Sequence, residues 1–393
     1  MTVPPPTDAL SIAQALIRCP SVTPQEAGAL DYLVSLLEPA GFRCTRLPFA
    51  DTDTPDVDNL FARVGSGPPH LCFAGHTDVV PAGDEAAWTH PPFAGAVDAG
   101  WLYGRGAVDM KGGIACFAAA ILAHLAENDG KIPGSVSFLI TGDEEGPAIN
   151  GTAKVLDWMA REGHDPDHCL VGEPSNPRDI GDEVKIGRRG SINGVLTVTG
   201  TAGHVAYPQL AANPIPGMLR ILGAFLAESL DSGNDNFAPS NLEIATIDTG
   251  NETENVIPPG VTAKFNIRFN NEQSADGLKD LLRAQAAEAL AGSGLDFDLS
   301  FSSSGEAFVT APGPLIEVME AAVKAATGKL PALSTGGGTS DARFIKDYCP
   351  VIEFGLVNKT IHQTDERTPV ADLETLTAIY RDFIGRYFLA FGS

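Results

Sequence analysis

The hydrophobic and polar positions of this chain change period several times. From Leu10 to Ala40 the apolar spacing is helical, and Pro20-Ser21-Val22-Thr23-Pro24 interrupts it, so two helices are predicted. His70 to Ala74 is a short apolar run ending in polar residues, as in a buried strand that delivers side chains at its C-terminal end. A helix over 112–126, a strand over 136–141, a helix over 151–162 and a strand over 169–172 follow. This alternation predicts an α/β layer on a mainly parallel sheet, with chemistry expected in the polar residues just past the strand ends.

Between 190 and about 305 the pattern differs. A strand over 193–199, a helix over 215–230, strands over 242–247 and 261–269, a helix over 275–290 and a strand over 296–301 give the order β-α-β-β-α-β, the ferredoxin-like signature. After Pro312 the α/β character returns with a helix to Ala326, a turn at Gly336-Gly337-Gly338, a strand over 351–354 and a helix over 373–388. The expected organisation is one discontinuous α/β domain, 1–189 and 306–393, interrupted by an α+β domain over 190–305.

A length of 393 residues suits two or three domains with real cores. Lys and Arg number 26 against 50 Asp and Glu, a net charge of −24, which argues against nucleic acid and anionic membrane surfaces as partners. Residues 1–17 contain no Lys or Arg and no sustained apolar core, and no apolar run approaches the ~20 residues that span a bilayer, so a cytoplasmic location is expected. The six cysteines are scattered without a C-x-x-C pair and read as reduced core residues, so a metal site would need other ligands.

Five segments beside predicted strands or turns supply such ligands: Gly75-His76-Thr77-Asp78, Gly106 to Gly113 around Asp109, Asp143-Glu144-Glu145-Gly146, Gly172-Glu173-Pro174-Ser175 and Thr360-Ile361-His362. Imidazoles and carboxylates are what a hard or borderline divalent cation takes. Singly, a His after a strand is more often structural, and an acidic run is more often a solvated loop. Here the apolar stretch Ser137-Phe138-Leu139-Ile140 aims the acidic run at a buried sheet edge, where bare carboxylates repel and a cation would hold them.

These segments, in this order, resemble the co-catalytic dizinc amidohydrolase family that includes acetylornithine deacetylase, aminoacylases and glutamate carboxypeptidases. Further stretches carry the likeness: Lys185 to Ser191, Gly203-His204-Val205-Ala206-Tyr207-Pro208, Asn213-Pro214-Ile215, Asn255-Val256-Ile257-Pro258 and Gly336 to Phe344. The resemblance runs from about Leu10 to Phe388. It implies a zinc-peptidase-like catalytic domain, with the 190–305 insert serving dimerisation, and hydrolysis of a linear amide of an N-acylated amino acid. It also implies two Zn²⁺ per subunit, with Co²⁺ able to take one site. His76 and Glu173 would bind one ion, Glu145 and His362 the other, and Asp109 would bridge them. Asp78 would orient the His76 imidazole, and Glu144 would act as general base. His204, donated by the partner subunit of a homodimer, would stabilise the oxyanion.

For a carboxylate-bearing small-molecule substrate the resemblance places Arg188, Ser191, Tyr207, Asn255, Arg268, Gly338, Thr339 and Asn358 around the ligand, arginine being the natural bidentate partner of a carboxylate. Plainer readings stand beside these: Arg268 as an outward-facing strand residue, Arg189 in a structural salt bridge, and the whole chain as a non-catalytic zinc-dependent binding protein.

Overall fold

A computed structural model describes residues 6–392; of the N-terminal stretch read above, residues 1–5 lie outside the described residues. The chain divides into two compact units. The first takes in the chain up to Ile186, Thr310–Ser334 and the chain from Ser340; the second takes in Gly187–Val309 and Thr335–Thr339. Among the described residues no helix is long and apolar enough to cross a membrane.

The first unit is built on an eight-stranded sheet in the order Arg43–Asp51, Thr54–Gly65, Ser135–Thr141, His70–His76, His168–Val171, Val351–Glu353, Glu183–Lys185, Ala332–Ser334. Its centre is parallel: His70–His76 pairs in that sense with both Ser135–Thr141 and His168–Val171, which pairs likewise with Val351–Glu353. Every residue of His70–His76 and Ser135–Thr141 is buried, because helices cover the sheet and no alternation is needed. The sheet is nevertheless mixed. The hairpin Arg43–Gly65 adds two antiparallel strands at one edge, and Val351–Glu353 meets Glu183–Lys185 antiparallel.

Parallel strands place their C-terminal ends at one edge, so His76, the acidic run after Thr141 and Glu173 after Val171 are delivered together. Beneath them Phe73 stacks on Phe117 at 4.2 Å between ring centroids and meets Phe138 and Tyr380 edge-on at 5.7 and 6.1 Å. The helix Lys111–Glu127 is buried on nearly every side and carries two glycines, Gly112 and Gly113, in its first turn. A Cβ at Gly112 would collide with the carbonyl of Ala107 and one at Gly113 with the carbonyl of Gly172, so both must be glycine for the helix to press against the loops carrying Asp109 and Glu173.

The second unit is a four-stranded antiparallel sheet in the order Asn241–Asp248, Gly260–Phe269, Gly190–Thr199, Asp296–Gly305. In Gly190–Thr199 the alternation puts Ile192, Leu196 and Val198 into a core shared with Met218, Ile221, Leu222 and Phe225 of the helix Ile215–Phe225 and with Leu278 and Leu282 of the helix Ala275–Leu290. Gly190 and Gly194 sit opposite Phe269 and Phe265, whose rings fill the space a side chain would take. The helix from Ile215 ends at Phe225 rather than at the expected Leu230. Asp231 explains the exit: its Oδ1 accepts from Gly233 N–H, Ser240 N–H and Asn270 Nδ2 at 3.0, 2.9 and 2.7 Å, which pulls the chain into a tethered loop.

All six cysteines are free; Cys72, Cys116, Cys169 and Cys349 are buried, and Cys19 and Cys44 are half-buried.

Candidate dinuclear metal centre

The two oxygens of Asp109 face two imidazoles. Its Oδ1 lies 3.2 Å from His76 Nε2 and its Oδ2 lies 3.4 Å from His362 Nε2. Glu173 Oε1 approaches His76 Nε2 at 3.5 Å, and Glu145 Oε1 approaches His362 Nε2 at 2.9 Å. One carboxylate therefore stands between two half-sites, each with one imidazole and one further carboxylate. Ligand atoms of His76, Asp109 and Glu145 lie within 4.8 Å of one another, as do those of His76, Glu144 and Glu173.

His76 sits at the end of its strand with Nδ1 2.9 Å from the backbone carbonyl oxygen of Asp78. That contact takes the Nδ1 proton and leaves the Nε2 lone pair aimed at the acids. Asp78 thus meets the imidazole through its main chain, while its carboxylate, 3.6 Å from Nδ1, accepts the N–H groups of Glu144 and Glu145 at 3.3 and 3.0 Å. Asp78 is consequently the peg on which the acidic turn hangs. His362 has φ 58°, in the left-handed region that a non-glycine residue adopts only where its surroundings enforce it. Its side chain is 48% exposed against 1% for His76, so one half-site opens to solvent and the other is enclosed.

A cation fits this donor set. His76 Nε2 and Asp109 Oδ1 are both buried and, although they face each other, neither has a hydrogen-bond partner. Buried polar atoms without partners are costly, and a shared metal ion would satisfy both. The electrostatics agree: burial and the Asp109 charge push the Glu173 carboxyl up to about 7, burial raises Asp78 to about 6, and burial together with the acids around it raises Glu144 well above its ordinary value. Against its own burial, Asp109 is held well below the usual carboxylate range by His362 and His76. Such a knot of mutually repelling acids around two imidazoles is stabilised by positive charge.

In the second unit, Arg188 is buried and donates from Nη1 to the carbonyls of Gly338 at 3.1 Å and Gly336 at 3.4 Å, which ties it to the glycine turn containing Gly338 and Thr339. Ser191 lies directly across the ladder from Arg268. Asn266 joins them, its Nδ2 donating to Ser191 Oγ at 3.2 Å and its Oδ1 accepting from Arg268 Nε at 3.0 Å. Ser191 and Arg268 alternate with the core positions Ile192 and Ile267, so half-buried Arg268 projects from the sheet face opposite the helices. Arg189 donates to a neutral partner, Asn241 Oδ1, at 3.1 Å.

A separate loop cluster carries His204, Tyr207 and Asn255. Gly203-His204 pairs with Val256-Ile257, Val205 N–H donates to the Asn255 carbonyl at 3.1 Å, and the His204 and Tyr207 rings lie 5.7 Å apart, both exposed. Asn358 belongs to the first unit and opens the 3₁₀ turn Asn358–Thr360 that leads into His362. Sequence reasoning passed over Glu366, whose buried carboxylate holds the Asp109 loop; neither residue type nor spacing signals that contact, which is long-range.

Residues 72–386 match the model of peptidase family M20/M25/M40. The chain belongs to this family. Among curated relatives it is 57% identical over 387 residues to a succinyl-diaminopimelate desuccinylase of Rhodopseudomonas palustris, covering 97% of this chain and 98% of that one. It is 56% identical over 380 residues to the enzyme so named in Methylorubrum populi, covering 96% and 98%. Solved structures superpose over nearly the whole length. Aminopeptidase PepT of Bacillus cereus gives a TM-score of 0.78 at 20% identity, covering 96% of this chain and 97% of that one. An M20 metallo-carboxypeptidase of Sulfolobus solfataricus gives 0.77 at 16%, covering 97% and 99%. At these identities the structural likeness bears on the fold alone.

Proposed function

We propose that this protein is a metal-dependent amidohydrolase that converts N-succinyl-LL-2,6-diaminopimelate and water into succinate and LL-2,6-diaminopimelate, a step of lysine and diaminopimelate (cell-wall precursor) biosynthesis. The observation that carries this reading is 56–57% identity to succinyl-diaminopimelate desuccinylases along nearly the full length of both partners, rather than over a shared catalytic core. A general N-acyl-amino-acid amidohydrolase would share the metal centre and the end-to-end fold; the level of identity is what favours the succinyl substrate.

His76 and Glu173 would hold one Zn²⁺, Glu145 and His362 the second, and Asp109 both, with Co²⁺ an acceptable substitute at one position. When bound, such a pair of cations would polarise an amide carbonyl and acidify a bound water. Glu144, beside the His76 and Glu173 ligand atoms, takes the proton of the attacking water and passes it to the nitrogen as the C–N bond breaks, so the amine leaves neutral. Asp78 keeps Glu144 and Glu145 in register through their backbone N–H groups. The second unit, read as a ferredoxin-like dimerisation domain, supplies His204 to the partner's site as oxyanion donor. Arg188, Ser191, Arg268, Tyr207, Asn255, Gly338, Thr339 and Asn358 bind the substrate's polar groups. With a net charge of −24 the molecule repels a polycarboxylate at long range, so capture falls to Arg188, Arg268 and the metal centre locally.

Chelator-treated protein is expected to release no succinate from N-succinyl-LL-2,6-diaminopimelate, and Zn²⁺ to restore the release. Undiminished turnover by protein shown to be metal-free would contradict the proposal.

A further inference from the structure

We infer that Glu366 is a positioning residue that fixes Asp109 relative to His362 by binding the two loops that carry them into one piece. Its side chain is fully buried, and its carboxylate oxygens accept four donors. Oε1 takes the N–H groups of Val108 and Asp109 at 2.8 and 3.1 Å, while Oε2 takes Gly106 N–H at 3.0 Å and Arg105 Nη1 at 2.8 Å. The Glu366 carbonyl also accepts Gly104 N–H at 2.9 Å.

A carboxylate buried without partners is strongly destabilising, as is breaking a buried ion pair. Here the partners are three amides of the segment that ends in Asp109, so that segment can adopt this path only around the carboxylate. The other loop is closed by the same group of contacts. Arg105 donates to the carbonyl of Gln363, next to His362, at 3.3 Å, and Thr360 Oγ1 exchanges hydrogen bonds with the backbone of Arg367 at 2.9 and 3.1 Å. The left-handed φ of 58° at His362 needs such over-determination to persist. Glu366 is absent from both clusters of metal-ligand atoms among the described residues, so its part is to place ligands rather than to be one.

Gln at position 366 keeps the length but turns one end into an N–H₂ group that must face amides or a guanidinium, donor against donor. The Asp109 loop has to move, and the ligand spacing moves with it. The inference rests on the reading of Asp109 and His362 as ligands, so the test carries both Glu366→Gln and Asp109→Asn in the full chain. Zinc affinity is measured by competition with a chromophoric chelator, alongside the thermal stability of the metal-free protein. Glu366→Gln is expected to weaken zinc binding about 10- to 100-fold, the usual effect of removing a group that orients a ligand. A Glu366→Gln protein that melts earlier but binds zinc like wild type, while Asp109→Asn binds it poorly, overturns the inference and spares the ligand reading. Normal zinc affinity in both variants overturns the two together. Should Glu366→Gln fail to fold, amide exchange in metal-free wild type decides. The N–H groups of Gly106, Val108 and Asp109 are expected to stay protected without metal, and exchange at open-loop rates overturns the inference.

Discussion

Replacing Glu144 by Gln is expected to lower kcat about 10²- to 10⁴-fold, the contribution typical of a positioned general base, while both metal ions stay bound. The carboxylate lies with the His76 and Glu173 ligand atoms, yet the ligand pairs at closest approach, Asp109 with His76 and Glu145 with His362, do not include it. Gln preserves its shape and the backbone hydrogen bond to Asp78 and removes only the capacity to accept a proton. Metal content by elemental analysis, with kcat and KM on the same preparation, separates the outcomes. Near-normal turnover would remove Glu144 from the role; loss of metal would make it a ligand.

The His204→Ala variant is expected to lose kcat by about 10²- to 10³-fold, as when one oxyanion donor is removed, with little change in metal content or subunit association. His204 is exposed; among the described residues its close ring neighbour is the exposed Tyr207, and its Nδ1 accepts the N–H of Ala206 at 3.1 Å, which leaves Nε2 for a partner outside its own loop. If His204 acts in the partner's site, a dimer of one His204→Ala subunit and one Glu144→Ala subunit contains one complete site. Mixing the two inactive variants under subunit exchange is then expected to restore activity, up to about a quarter of wild type when exchange is statistical. Mixtures as inactive as their components would place the donor within its own subunit.

The convergence of His76, Glu145 and Glu173 was legible because each ends or follows an apolar strand, and parallel strands gather their ends at one edge; Asp109, ahead of the helix Lys111–Glu127, and His362, in a loop, were joined to them by the family resemblance. The antiparallel unit was legible for a related reason: Gly190–Thr199 and Gly260–Phe269 alternate over one core, whereas Asn241–Asp248 leaves Ile247 exposed and the exit of the first helix is drawn off early by Asp231. The edge hairpin Arg43–Gly65 was not, since Arg43, Arg46, Asp51, Asp56 and Asp58 break any apolar run; edge strands with a solvated side carry such charges. Two parts of the site were also hidden. That Asp78 holds His76 through its carbonyl and the acidic turn through its carboxylate is a matter of backbone path, to which residue type is blind. Glu366 looks no different in sequence from its neighbour Asp365, which is only half-buried; burial by the Gly106–Asp109 amides separates them, and that pairing spans more than 250 positions.

The measurement that bears most directly on the proposed activity is kcat/KM of the zinc-loaded enzyme for N-succinyl-LL-2,6-diaminopimelate beside that for N-acetylornithine. The two substrates call on the same metal ligands and the same general base, so their ratio reads acyl-group and amine recognition alone. A preference for the succinyl substrate of at least about 10²-fold is expected, since a site built to pair with a polar group rejects an analogue lacking it by up to about 10⁴- to 10⁵-fold. Equal rates, or a preference for acetylornithine, would contradict the assignment while leaving the metal centre intact.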